Sequence, residues 1–387
     1  MNIELSDRLK KLPPYLFVEI DKAKKKAMSE GRDIIDLGIG DPDIPTPSHI
    51  IEELYKASKD PKNQKYALDE GHADLRREIA RWYKERFNID LNPENEVLPL
   101  VGSKEGIAHI PLAFVNPGDY VLVPDPSYPP YKSGTILAGG IPHIMPLLSK
   151  NRFLPDLDEI DNNIINKVKL IFINYPNNPT AAVCDRKFFE EVVKFALKNN
   201  IVVCHDAAYT EISFDGYRAP SFLEIDGAKQ AGIEFHSFSK TFNMTGWRIG
   251  FACGNASIIK GLAKVKSNID SGVFTAIQLA GVSALKSVHK NLDKANRIYQ
   301  ERRDVLIEGL NKIGWNIEKP KATFYVWAPV IKGQTSISTA KLLLEKADVI
   351  VTPGNGFGSV GEGYVRMALT VDKHRLKEAV TRIKKVI

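Results

Sequence analysis

From about residue 94 onward the chain repeats one pattern, a short apolar run followed by a stretch of helical periodicity. The runs include 95–101, 120–124, 168–174, 201–205 and 233–238, with helical patterns such as 103–114 and 185–198 between them. Short runs rich in β-branched residues, lacking the polar alternation of a half-solvated strand, belong to strands buried on both faces. Strands joined through helices run parallel, and the helices then cover the sheet. The expected fold is therefore α/β, with a mostly parallel sheet.

Other segments extend this frame. Residues 1–30 read as an arm whose helix starts at Pro13-Pro14, with Phe17, Ile20 and Ala27 on its apolar side. A short strand then breaks into the turn Gly38-Ile39-Gly40-Asp41-Pro42. Two helical patterns, 48–59 and 72–87, flank a loop holding Tyr66. Farther on, one long helical stretch over 275–310 leads to short strands at 324–328, 349–352 and 364–369 and helices at 337–346 and 372–386. The predicted organisation is a large α/β domain over 45–290 and a smaller α+β domain formed by 291–387 with residues 1–44.

Composition excludes several classes. The net charge of +6 is dispersed, and no basic stripe interleaved with aromatics marks a nucleic-acid surface. No apolar run approaches the roughly 18 residues a membrane helix needs. The N-terminus carries no apolar signal core, and the three cysteines form no Cys-x-x-Cys pair. Buried free thiols in the cytoplasm are the expectation. The histidines form no cluster of zinc-ligand spacing, so no metal site is predicted.

The chemistry concentrates at 234–254. The apolar run ending at Phe238 delivers Ser237, Ser239 and Lys240 into a turn, and a second apolar run, 247–253, carries Arg248. Two hydroxyls and a guanidinium suit a phosphate dianion. A partly desolvated lysine beside another cation loses preference for its charged form and becomes an amine nucleophile. A nucleophilic lysine next to a phosphate cup is what pyridoxal 5'-phosphate requires. By itself Ser-x-Ser-Lys is most often a solvated turn, so the reading depends on further groups. Gly102-Ser103-Lys104 ends one strand and opens a helix, a second anion cradle. Asp206 ends the run 201–205, where a carboxylate can keep a pyridinium protonated; alone it would read as a turn or cap residue. Tyr209 and Asn178 could reach a ring hydroxyl, and Tyr128 offers a flat face. Arg366, inside the apolar strand 364–369, must be paired, either by a structural carboxylate or by a substrate's. One motif is set aside: 356–361 matches Gly-x-Gly-x-x-Gly but leads into a strand rather than a helix, so a dinucleotide site is not expected.

These residues, in this order, closely resemble the class I/II aminotransferases of fold-type I, through Gly102-Ser103-Lys104, Tyr128, Asn178-Pro179-Thr180, Asp206-Ala207-Ala208-Tyr209, Ser237-Phe238-Ser239-Lys240, Gly246-Trp247-Arg248 and Arg366. The resemblance implies a seven-stranded, mostly parallel sheet and pyridoxal phosphate linked to Lys240. It implies Asp206 at the ring nitrogen, Asn178 and Tyr209 at the ring oxygen, and Tyr128 stacked on the ring. Ser103, Lys104, Ser237, Ser239 and Arg248 would hold the phosphate, with Tyr66 from the second subunit of a homodimer. Arg366 and the Gly40 backbone would take the substrate α-carboxylate. One departure is visible, since Ala181 stands where the family usually has glycine after Asn-Asn-Pro-Thr.

Further stretches are similar to LL-diaminopimelate aminotransferases: Tyr15 in its Pro-Pro-Tyr arm, 38–47, 205–211, 353–358 and 361–366. That likeness implies transfer of an amino group between LL-diaminopimelate and 2-oxoglutarate, run in reverse in lysine biosynthesis, with Asp69, Lys104 and Tyr15 near the distal end of the substrate. The alternatives are an aminotransferase of aspartate, alanine or aromatic amino acids, and a C–S lyase using the same lysine. A pyridoxal-phosphate-sensing regulator would need a DNA-binding segment, which the sequence lacks.

Overall fold

The computed structural model describes all residues except 2, 13–15 and 68, and leaves aside the side chains of 16–21, 23 and 289–291. Among the described residues twelve strands form three sheets: β1 (Ile35–Asp36), β2 (Val97–Leu100), β3 (Tyr120–Asp125), β4 (Ile141–Pro146), β5 (Val168–Ile173), β6 (Val202–Asp206), β7 (Gly232–Ser237), β8 (Gly250–Gly254), β9 (Tyr325–Pro329), β10 (Val349–Ile350), β11 (Thr352–Pro353) and β12 (Tyr364–Ala368). The central sheet has the order β2-β8-β7-β6-β5-β3-β4. Only β8 runs against its neighbours; the other six strands share one direction.

Both faces of this sheet are buried, as the apolar runs require. Val121, Val123, Leu170, Phe172 and Cys204 belong to one core, and the intervening Leu122, Ile171 and Val203 to the other. Helices Ser103–Phe114 and Ala256–Lys266 close the first face with Ile107, Ile110, Ile258 and Leu262. Helices Ala73–Phe87 and Arg186–Asn199 close the second with Ile79, Trp82, Phe189 and Val192. Each fully buried side chain of this size contributes roughly 1.5–3 kcal/mol, so the two cores dominate the stability of the sheet. Cys184, Cys204 and Cys253 are all buried and free. A third core gathers Ile35, Leu37, Val326, Val349, Val365 and Leu376 around the antiparallel sheet β11-β12-β9 and the parallel pair β1-β10.

Three features differ from the sequence expectation. The stretch 275–310 is two helices, Thr275–Lys286 and Val288–Lys312. They part at Ser287, whose hydroxyl donates to the carbonyls of Ser283 and Ala284 at 2.9 and 3.1 Å, and whose backbone leaves the helical region (φ −112°, ψ 12°). Such back-bonding competes with the helical ladder. The run 349–352 serves two sheets, Ile350 pairing with Asp36 and Thr352 with Arg366. Arg248 does not lie in a strand. It precedes β8 in a left-handed conformation (φ 55°), after a single turn over Thr245–Trp247.

Among the described residues no helix is long and apolar enough to cross a membrane, and no group of three or more histidine, cysteine or carboxylate side chains could hold a metal ion.

Candidate active site

The direction of β8 explains how the chemistry converges. The carboxyl ends of β2, β5, β6 and β7 lie along one edge of the sheet, and the antiparallel β8 begins there, with Gly250 opposite both Leu100 and Ser237. Gly102-Ser103, Asn178, Asp206, Ser237 and Arg248 are thereby brought to one rim, the usual place for ligands in α/β folds. A cavity of about 430 Å³ opens on it.

One end of the cavity is lined by Ser103, Lys104, Ser237, Ser239, Thr245 and Arg248. Ser103 opens its helix with an uncapped N-terminus, so N–H groups are left for an anion. Space is kept for that use by glycine. Gly102 sits at φ +78°, and a Cβ there would overlap the Arg248 guanidinium. At Gly250 a Cβ would come 2.7 Å from the Ser103 nitrogen. Arg248 Nη1 donates to the Thr245 carbonyl at 2.8 Å. Hydroxyls, N–H groups and a guanidinium around one hollow fit a phosphate dianion.

In the middle, Lys240 and Asp206 line the same cavity. Lys240 stands on the short helix Phe238–Thr241, and its Nζ donates to the Gly40 carbonyl at 3.1 Å. Burial pushes its ammonium pKa down, and the Arg366 and Arg248 charges act the same way, against Tyr325 and Asp41. Asp206 is 4% exposed and ends β6. Burial raises its carboxyl pKa, while hydrogen bonds from the Tyr131 hydroxyl (2.7 Å) and the Ala208 N–H (3.2 Å) oppose the rise. A buried anion facing a cavity is well matched to a cationic N–H. Tyr128 and Asn178 also face the cavity, and the Tyr209 hydroxyl lies 3.1 Å from that of Tyr325. Burial lifts the Tyr209 phenol well above its ordinary value, so it carries its proton.

At the other end Arg366, 1% exposed, donates from Nη1 to Asn178 Oδ1 (2.9 Å) and from Nη2 to the Gly38 carbonyl (2.8 Å). The rings of Tyr325 and Phe357 lie 4.2 and 4.6 Å from its guanidinium carbon. The Arg366 side chain lines the cavity, where a guanidinium suits an incoming carboxylate through charge-assisted hydrogen bonds. Gly40 lines the cavity, and a Cβ there would overlap the Tyr325 hydroxyl.

Of the residues singled out in the sequence, Tyr66 and Asp69 are not among those lining this cavity. Both are exposed in the loop between helices, Tyr66 at 92%. Tyr15 lies outside the described residues. Ala181 takes a positive φ of 58°, as its place after Asn-Asn-Pro-Thr suggested. Sequence reasoning missed Ile39, Asp41, Ala208, Thr245, Tyr325 and Phe357. Thr245 and Ala208 adjoin recognised motifs and were within reach. Tyr325 and Phe357 come from the distant small sheet and its loop, and no local pattern marks them.

The sequence matches the model of the aminotransferase class I and II family over residues 32–383. Among curated proteins it is 57% identical to the LL-diaminopimelate aminotransferase of Moorella thermoacetica over 380 residues, 98% of this chain and 97% of that protein. The enzyme of the same name from Syntrophobacter fumaroxidans is 55% identical, covering 98% of each. Among solved structures, substrate-bound BacF of Bacillus subtilis superposes with a TM-score of 0.95 at 43% identity, covering 100% of this chain and 98% of that one. The chain belongs to the class I and II aminotransferases.

Proposed function

We propose that the protein is a pyridoxal-phosphate-dependent aminotransferase that interconverts LL-diaminopimelate and 2-oxoglutarate with tetrahydrodipicolinate and glutamate, running toward LL-diaminopimelate in lysine biosynthesis. The observation that carries the chemistry is one cavity in which a partly buried amine, a buried carboxylate and a buried guanidinium face a cup of phosphate donors. The substrate rests on the relatives of that name.

When bound, pyridoxal phosphate supplies an aldehyde that links to amines and a protonated ring that withdraws electrons from the bonds of the substrate's α-carbon. Lys240 provides the linking amine; its lowered pKa leaves more of it unprotonated than an exposed lysine would be. The same amine would be the base placed to take the proton from the substrate's α-carbon and to give it back. Asp206 would hold the proton on the ring nitrogen of the bound group. Tyr209 and Asn178 would address the ring oxygen of the bound group, Tyr128 its ring face, and Ser103, Lys104, Ser237, Ser239 and Arg248 its phosphate. Arg366 and the Gly40 backbone take the α-carboxylate. Tyr66 reaches the phosphate of a second subunit, and Asp69, Lys104 and Tyr15 meet the distal end of the substrate. A cytoplasmic homodimer, with a large domain over 45–290 and a small one from 1–44 and 291–387, completes the reading.

The test mixes holoenzyme with LL-diaminopimelate, glutamate, aspartate, alanine and phenylalanine in turn and follows conversion of the cofactor to its pyridoxamine form. Fast conversion by LL-diaminopimelate and glutamate is expected. No conversion by LL-diaminopimelate, with rapid reaction of aspartate or phenylalanine, overturns the substrate while leaving transamination standing. Release of pyruvate and ammonia from a cysteine-like substrate without pyridoxamine would point to a lyase.

A further inference from the structure

The glycine-rich segment that imitates a dinucleotide fingerprint closes instead on a carboxylate of the chain itself. Ser359 and Val360 each donate a backbone N–H to Asp125 at 3.1 Å, and the Ser359 hydroxyl stands 3.5 Å from the same group. Gly358, at φ +138°, lies so close that a Cβ would overlap the Asp125 carboxylate. The Ser127 N–H returns a bond to the Phe357 carbonyl at 2.9 Å. Successive N–H groups around an anion form a concave nest, and here the anion is built in. Burial pushes the Asp125 carboxyl up, and the Val360 and Ser359 N–H groups and the Lys132 charge pull it back.

The two sides of this latch belong to different parts of the site. Asp125 ends β3, three residues before Tyr128 of the cavity wall. The glycine-rich segment joins β11 to β12, the strand of Arg366, and its Phe357 ring lies against the Arg366 guanidinium. We infer that Asp125 is a positioning residue for carboxylate recognition: it seats the 354–361 loop on the end of β3 and, through Phe357, fixes the Arg366 guanidinium relative to Tyr128. This rests on the proposal that Arg366 receives the substrate carboxylate.

Glutarate, a dicarboxylate with no amino group to react, is the probe. Its dissociation constant is measured by calorimetry on holoenzyme carrying Arg366→Gln, Asp125→Ala, Phe357→Leu, or the last two together, with cofactor affinity measured alongside. Arg366→Gln is expected to abolish binding. Asp125→Ala and Phe357→Leu are each expected to weaken it about tenfold with cofactor affinity unchanged. The double variant should be no weaker than Asp125→Ala alone, because the two act in series. Wild-type glutarate affinity in Asp125→Ala or Phe357→Leu overturns the inference, as does full additivity in the double variant. If Arg366→Gln binds glutarate normally, the carboxylate reading itself fails and takes the inference with it, a pattern distinct from the other two. Should Asp125→Ala be recovered unfolded, Asp125→Asn, which keeps the side chain's shape but turns one of the two N–H acceptors into a donor, substitutes for it with a loss in the same direction.

Discussion

At the scale of single residues the site sets charges, Asp206 and Arg366 buried and Lys240 partly so, around one cavity. Lys240 and Asp206 are each pushed toward neutrality by burial, so both are costly until a ligand answers them. The sign for Asp206 follows from linkage. Its folded-state pKa is raised, so the folded protein holds that proton more tightly than the unfolded chain, and stability falls as pH rises from the ordinary carboxylate value of about 3.9 through the folded value. Asp206→Asn removes that loss. Urea unfolding of the cofactor-free variant is expected to show greater stability than wild type near neutral pH, by about 1 kcal/mol, and a shallower dependence on pH above 4. The same variant should bind cofactor and lose most of its transamination rate, because no anion holds the ring proton. Near wild-type turnover would make Asp206 a structural residue. For Lys240 the depressed pKa predicts that cofactor attachment to the cofactor-free protein speeds up with rising pH at a midpoint below about 10.4. Stopped-flow absorbance checks this, and borohydride reduction with peptide mapping should place the label on Lys240 alone, with none in Lys240→Ala.

At the scale of elements, what the sequence reveals is what local physics controls. Helix 103–114 could be read to its last residue because Gly102 precedes it and Asn116-Pro117-Gly118 soon follows, and Asp185 announces helix Arg186–Asn199 by capping the Phe188 N–H at 3.0 Å. The edge strand β4 escaped notice because its face is half-solvated and holds two prolines and a histidine, far from the profile of a buried run. Helix Pro130–Leu137 was hidden by Tyr128-Pro129-Pro130, which reads as a turn although proline also starts helices. The role of β8 was legible in composition but not in direction, and direction is what brings Arg248 to Ser103. The polar motifs of the site were legible for a different reason, since they combine Gly, Ser, Lys and Asp at strand ends where packing alone would not select them. Tyr325 and Phe357 were not, because an aromatic residue in an apolar strand or loop looks like core. Gly102 tests the element-level account. Alanine there must adopt φ +78° and displace the Arg248 guanidinium, a cost of about 1–3 kcal/mol. Gly102→Ala should weaken pyridoxal phosphate far more than unphosphorylated pyridoxal, as spectroscopic titration would show; equal losses for both would place the effect outside the phosphate cup.

At the scale of the whole molecule the cavity leaves a residue unaccounted for. Tyr66 is 92% exposed and is not among the residues lining its own cavity, though an aromatic side chain gains little from such exposure. Nearby surfaces share this character. Ile51 and Tyr55 stand out from helix Ser48–Ser58 at 47% and 64%, and Phe274, at 39%, caps helix Thr275–Lys286, which packs on it. Exposed apolar groups on packed neighbouring helices are what a subunit interface covers. In the proposed homodimer Tyr66 leaves its own chain to complete the site of the other. A twofold interface makes this exchange reciprocal, and reciprocity can be tested by complementation. Lys240→Ala cannot link the cofactor, and Tyr66→Ala lacks the contributed hydroxyl, so each pure variant should be nearly inactive. Unfolded together and refolded at equal concentration, they form mixed dimers. One site then combines the Lys240 of one chain with the Tyr66 of the other and is intact, while its twin carries both defects. Random pairing makes about half the dimers mixed, each with one working site of two, so activity should recover to about a quarter of wild type. Size-exclusion chromatography fixes the oligomeric state in the same samples. Recovery at that level requires both an exchange of subunits and a Tyr66 that acts across the interface, whereas a mixture no more active than its components would confine Tyr66 to its own chain.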